Sequence, residues 1–315
     1  MSTAVVTQTS PESADTRESP AAREETARLV ALRRRARRQR YLSPRWIATV
    51  LLKMVCTAVI IGLALFPLAW MVISGFKLRT EVVRTPFQFF PDVWRWENYV
   101  QILQDTSFLR TLLITGGGAV IFTVSSIAVN SMAAYAFARL EFAGKRIVWP
   151  VVLGTMFIPG MTILLTSFIV VTKLHMLDTL AVLILPGMAA AGHIFFVRQF
   201  YLNIPSSLEE AAVVDGCSRW GVYLRIFLPL SKAPFVVVGI GSFMAYWNAF
   251  VWPVMTITSP QLYQVQQYLA AFRGERASEL GLLMAGSVCA AAPIIVIFLF
   301  FQRSIIANIK MAGLK

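Results

Sequence analysis

Acidic and chemically reactive side chains are scarce in this chain. Of 315 residues only 16 are Asp or Glu and 2 are His, and charged residues of both signs make up 14%. The 3 cysteines, Cys56, Cys217 and Cys289, stand far apart in or beside apolar stretches and read as reduced packing thiols. No acid pair, Cys/His couple or metal-ligand spacing is present, so we expect no catalytic site, no metal and no cofactor on the chain itself. A phosphate loop of the GxxxxGK[ST] form is missing too, because Gly144-Lys145-Arg146 lacks both the upstream glycine and the hydroxyl residue. Any ATP hydrolysis the protein depends on must take place on another chain.

Apolar residues are what the sequence has in excess. At 57% hydrophobic, the composition does not suit a soluble globular domain. Six apolar stretches, at about 47–75, 109–138, 147–171, 178–201, 233–258 and 280–302, are each long enough to cross a bilayer as a helix. The expected fold is therefore all-α, a polytopic membrane protein with six transmembrane helices and the lipid bilayer as its surroundings. Lys53 lies near the start of the first stretch and can snorkel to the interface. The only other ionisable group well inside a span, His193, reads as a hydrogen-bonded packing residue. Pro67, Pro159, Pro186, Pro253 and Pro293 predict kinked or broken spans, which line cavities more often than they face lipid. Gly116, Gly117, Gly118, Ala133, Ala134, Ala189, Ala190 and Ala191 allow helices to approach closely.

The net charge of +13 is a topology signal rather than a nucleic-acid groove, and no nucleic-acid partner is expected. Residues 1–45 form a polar tail, disordered early and with a basic helix possible over 22–40, and residues 46–315 form the membrane domain. With both termini on one side, that side holds ten arginines of the tail, Arg139, Lys145, Arg146, Arg198, Arg219, Arg225, Lys232, Arg303, Lys310 and Lys315, against eight basic residues opposite. This asymmetry puts the N- and C-termini in the cytoplasm. Pro86, Pro91, Trp94, Trp96 and Tyr99, in the first loop on the other side, suit an interfacial aromatic belt.

The longest polar interruption of the C-terminal half runs over about 203–230. Pro205 ends what precedes it, Ser206 and Glu209 have capping-box spacing, and Glu210 is then free to meet another group. Leu208, Ala211, Ala212 and Asp215 form a narrow helical face. Gly216 suits a left-handed helix end. Ser218 begins a second helix whose Trp220, Tyr223, Leu224, Phe227 and Leu228 share an apolar stripe, and Pro229 is expected to stop it. The result is a helix–turn–helix hairpin, on the cytoplasmic side by the charge count.

The order Glu210-Ala211-Ala212, three residues, Gly216, nine residues, Ile226-x-Leu228-Pro229 resembles the EAA loop of ABC-importer permeases, and Asp215 and Pro205 also fit. Farther afield the chain is similar to the carbohydrate branch of that family, the maltose-transporter type. The similar stretches are Asn98-Tyr99, Ala134-Tyr135-Ala136-Phe137-Ala138-Arg139, Ile158-Pro159-Gly160, Leu177-Asp178-Thr179, Leu185-Pro186, Arg198-Gln199-Phe200, Trp247-Asn248-Ala249-Phe250 with Pro253, and Ala312-Gly313-Leu314-Lys315. Where the family usually has an acid after Trp-Asn, this chain has Ala249.

The resemblance implies one permease half of an importer in a bacterial inner or plasma membrane. The other parts would be a second homologous permease, two ATPase subunits that carry ATP-Mg, and an external solute-binding protein. It also implies that Glu210, Ala211, Ala212, Asp215, Gly216, Ile226, Leu228 and Pro229 couple to the ATPase, and that the cargo is a sugar or sugar-like solute. Amino-acid or peptide cargo is the alternative. A secondary transporter would need intramembrane charges, for which His193 alone is thin support. Asn130, Tyr135, Tyr246, Trp247 and Asn248 either line a path for hydroxyl-rich cargo or hold helices together.

Overall fold

The computed structural model describes Arg28, residues 44–275 and residues 279–312. The arginine-rich segment 22–40, Arg28 aside, and the terminal Gly313-Leu314-Lys315 lie outside the described residues. The chain divides into two units at Leu68 and Ala69, and helix α1 (Pro44–Ser74) runs across that boundary. The part of α1 in the first unit exposes Leu51, Leu52, Val55, Ile60 and Leu63 around its circumference. A helix that is apolar all round needs lipid or another apolar surface about it.

In the second unit, α1 ends in an aromatic segment that carries the short α2 (Arg79–Val82) and α3 (Glu97–Gln104). Phe76 is ringed by Trp94, Trp96 and Tyr99 at centroid distances of 5.2, 4.7 and 4.6 Å. Lys77 is buried; its Nζ donates to the Gln88 carbonyl (2.6 Å) and lies 4.2 Å from the Trp70 ring centroid. Asn98 Nδ2 donates to the Gly75 and Lys77 carbonyls (2.9 and 3.2 Å), and the Tyr99 hydroxyl to that of Val72 (2.9 Å). These bonds satisfy carbonyls left open where α1 ends.

The second unit is built along α4 (Thr106–Arg139), 34 residues and so about 51 Å long. Asp105 caps it, accepting from Ser107 N (2.8 Å) and Phe108 N (3.2 Å). Around it follow α5 (Lys145–Gly154), α6 (Leu164–Lys173), α7 (Leu180–Ile184) and α8 (Ala191–Leu202). After the hairpin come α9 (Lys232–Trp247), α10 (Val251–Thr256), α11 (Val265–Glu275) and α12 (Leu280–Ala312). Among the described residues no strand is present.

Among the described residues three helices are long and apolar enough to cross a membrane alone, and a fourth if the pair Arg219–Leu230 and Lys232–Trp247, bent by 79°, is one span. The third, fourth and fifth apolar stretches are each interrupted, near Pro159-Gly160, near Pro186-Gly187, and at 248–250. Proline removes a backbone donor and disfavours helix at the residue before it, and a following glycine costs entropy as well. Pro67, Pro150 and Pro293, each followed by a large apolar residue, stay inside continuous helices. The break before α8 is filled by Asn130, whose Nδ2 donates to the Met188 carbonyl (2.8 Å) while its Oδ1 accepts from Ala190 N (2.8 Å).

Two cores lie along α4. Its first half packs Phe108, Ala119 and Phe122 against Val182, Leu183, Tyr246, Trp247, Ile257, Val265 and Leu282. Its second half packs Ala134, Tyr135 and Phe137 against Ile194, Val197, Tyr201, Val222, Tyr223 and Phe227. Close approach of α4 and α9 requires Gly118, where a Cβ would collide with the Tyr246 ring.

Candidate functional site

The hairpin follows α8 and is anchored by the last residue of α4. Arg139 donates to the carbonyls of Tyr201 (2.7 Å) and Ile204, fixing the turn at Pro205. A first helix (Ser206–Val214) then runs to Gly216 at φ +83°, where a β-carbon would be strained. Ser218 caps the second helix (Arg219–Val222), accepting from Gly221 N at 3.1 Å.

Three details differ from the sequence reading. Pro205 is the N-cap and no capping box forms at Ser206. Glu209 turns instead to Arg219 (2.6 Å) and Arg139 (3.9 Å), since guanidinium groups bind a buried carboxylate more strongly than a backbone amide does. The second helix also changes register, with a π turn over Tyr223–Phe227 and a last turn over Leu228–Leu230. Widening ahead of Pro229 lets the backbone adjust where that residue has no N–H to give, so the helix passes through it and bends at Ser231. The buried stripe consequently holds Val222, Tyr223 and Phe227, leaving Trp220 and Leu224 exposed.

The eight coupling candidates divide by face. Glu210, Ala211, Asp215 and Gly216 are exposed, as are Val213 and Val214, the latter at 86%. Ala212, Ile226 and Leu228 pack against the inner core, and Pro229 is exposed next to the bend. Inside, the Tyr135 hydroxyl donates to the Arg219 carbonyl (3.2 Å), and Ser131 and Tyr223 share a hydrogen bond of 2.8 Å. Arg198 Nε reaches the Phe137 carbonyl (3.0 Å). A shallow hollow bounded by Ser206, Glu210, Val213, Val214 and Arg219 opens outward.

The five path candidates are not brought together. Asn130 is fully buried and bonded, and Tyr135 belongs to the hairpin core. Trp247 stacks on Phe243 (5.5 Å) and donates from Nε1 to the Ala290 carbonyl (3.2 Å). Asn248 is exposed and bonds back to the Met244 carbonyl (2.9 Å). Of the five, Tyr246 lines a cavity of about 370 Å³ walled by Phe122, Gly160, Leu183, Ala249, Trp252 and Gln264 among others. Gln264 escaped the sequence reading, although three glutamines at 264, 266 and 267 are a visible polar signal. His193 is half-buried and its Nδ1 finds no partner among the described residues.

The family whose model matches this chain is described as the binding-protein-dependent transport system inner membrane component, and the match covers residues 46–310. The chain belongs to this family. As such a permease it is a helical, multi-pass membrane protein of a transport system that works with a binding protein. It is 30% identical over 261 residues to the arabinooligosaccharides transport system permease protein AraQ of Halalkalibacterium halodurans, covering 82% of this chain and 94% of that one. It is 28% identical to the diacetylchitobiose uptake system permease protein NgcG of Streptomyces coelicolor, covering 80% and 85%. The permease fold is also that of a bacterial ABC transporter involved in the import of the acidic polysaccharide alginate, with TM-score 0.72, 20% identity, and 83% and 98% of the two chains covered.

Proposed function

We propose that this permease is one half of the translocation path of an ATP-driven importer for a sugar or sugar-like solute, and that its hairpin docks on a separate ATPase. The observation that carries the reading is the division of the hairpin. Glu209 is bound inward, while Glu210, Ala211 and Val214 are exposed. An exposed carboxylate beside small and apolar side chains on a rigid helix fits a groove with a basic group at its rim. Named relatives that handle arabinooligosaccharides and diacetylchitobiose support sugar cargo over amino acids or peptides.

The remaining parts of the importer are a second homologous permease, two ATPase subunits holding ATP-Mg and an external binding protein. Six crossings, with the broken stretches each counting as one, put the hairpin and both termini in the cytoplasm, in agreement with the basic residues on that side. Residues 46–315 are the membrane domain, and 1–45 a topogenic tail. Reconstitution with these partners in proteoliposomes tests the proposal. We expect labelled arabinose oligomers or diacetylchitobiose to accumulate only when ATPase and ATP are present. Uptake driven by an ion gradient without the ATPase, or uptake confined to amino acids or peptides, would contradict it.

A further inference from the structure

Gln264 stands immediately before α11, and the backbone around it is fixed by its neighbours. The Val265 amide donates to Thr115 Oγ1 on α4 (2.9 Å), and the Gln264 carbonyl accepts from Tyr268 N (2.9 Å). The residue is 1% exposed, yet neither Nε2 nor Oε1 has a hydrogen-bond partner among the described residues. Gln267, one turn on, is half satisfied by comparison: its Nε2 donates to the Ile257 carbonyl (2.9 Å) and ties the turn, while its Oε1 has no partner among the described residues. Burying an amide without partners is unfavourable compared with an apolar side chain of the same length. An amide held open on a rigid backbone therefore points to a ligand.

The side chain lines the 370 Å³ cavity, whose size is in the range of small-molecule sites. The Tyr246 hydroxyl lies toward Gln264 without reaching hydrogen-bond geometry, and it too is buried without a partner. No lining residue is charged; Phe122 and Trp252 supply aromatic surface, and Ala249 is neutral. An amide offers donors and acceptors together, as does a phenol, and both match a hydroxyl group, which is donor and acceptor at once. An anion or a zwitterion would enter this cavity with its charge uncompensated.

We propose that Gln264, with Tyr246, contacts the solute and selects neutral, hydroxyl-rich molecules as they pass this cavity. The inference rests on the importer reading given above and adds to it the residue that reads the cargo.

The test measures solute delivered per ATP hydrolysed by the complete transporter in proteoliposomes, with a panel of arabinose oligomers, diacetylchitobiose and a neutral amino acid as probes. Gln264→Met keeps the length and removes the hydrogen bonds, and we expect it to lower sugar delivered per ATP about tenfold. Gln264→Asn, which retains an amide, recovers part of the loss, and Tyr246→Phe gives a smaller one of about threefold. Trp247→Phe, a packing change outside the cavity wall, serves as the control and keeps the wild-type ratio. Wild-type delivery per ATP in Gln264→Met overturns the proposal while the sugar reading stands. A fall of uptake and hydrolysis in equal proportion also overturns it, because the side chain would then be structural. Wild-type transport of the amino acid and none of the sugars overturns the sugar reading, and this proposal with it.

Discussion

At the hairpin end of α4, polar side chains bind one another and the backbone; at the other end, several face a cavity. Arg139, Glu209, Tyr135 and Ser131 tie the hairpin to the helices beneath it, and Arg198 ties α8 to α4. Gln264 and Tyr246, equally buried, reach no such partner. An internally bonded region resists deformation and can carry a movement imposed on it, whereas open polar groups are free for a guest. One helix thus joins a stiff end to a receptive end, a useful layout for a chain whose work is proposed to be driven from outside.

The largest effect should come from cutting the stiff end. Arg139→Met leaves the Tyr201 and Ile204 carbonyls without their charged donor and Glu209 with Arg219 alone, and each buried acceptor left unmet costs about 1–3 kcal/mol. A thermal-unfolding measurement on the purified permease would read this, with folded yield falling as well. Glu210→Ala acts on the outward face and should leave that stability unchanged. It should instead abolish uptake and release the ATPase, about 2–5 kcal/mol of contact being lost where a desolvated partner cation is left alone.

Gly216→Val is the next smaller change. A β-branched residue at φ +83° costs about 1–2 kcal/mol and re-aims the second helix, so coupled uptake should fall while membrane insertion is kept. At the receptive end, Trp247→Phe removes the bond to the Ala290 carbonyl and trims a buried ring. Its expected cost is about 1 kcal/mol of stability with normal uptake, read by thermal unfolding beside a transport assay. A large uptake loss there would erase the distinction between packing and cavity residues.

Local signals made the hairpin legible: proline before it, glycine within it, serine at the start of its second helix. The division between Glu209 and Glu210 was legible in its outcome but not in its cause, since Glu209 binds Arg219 and Arg139 rather than the backbone at Ser206. Adjacent residues on a helix point about 100° apart, and which of the two faces inward depends on Arg139, seventy positions earlier in the chain. Hydropathy located the apolar stretches but not their continuity. That distinction was nevertheless present, since Pro159-Gly160 and Pro186-Gly187 break helices that Pro67, Pro150 and Pro293 do not. The surroundings of the path candidates were hidden for another reason. A tryptophan or asparagine in an apolar segment looks the same whether it faces a cavity or a carbonyl, and only the fold places Ala290 beside Trp247 and Met188 beside Asn130.

The outward face of the hairpin is the centre of this account, and cross-linking tests it most directly. Single cysteines at Ala211 and at Ala212, in a background with Cys56, Cys217 and Cys289 all replaced by Ser, can be treated with a short thiol cross-linker in the assembled transporter whose ATPase carries a cysteine along its groove. The account predicts efficient capture of the ATPase from position 211, which is exposed, and little from 212, which packs on the inner core. Equal capture from both positions, or none from 211 in an assembled and active transporter, would contradict it.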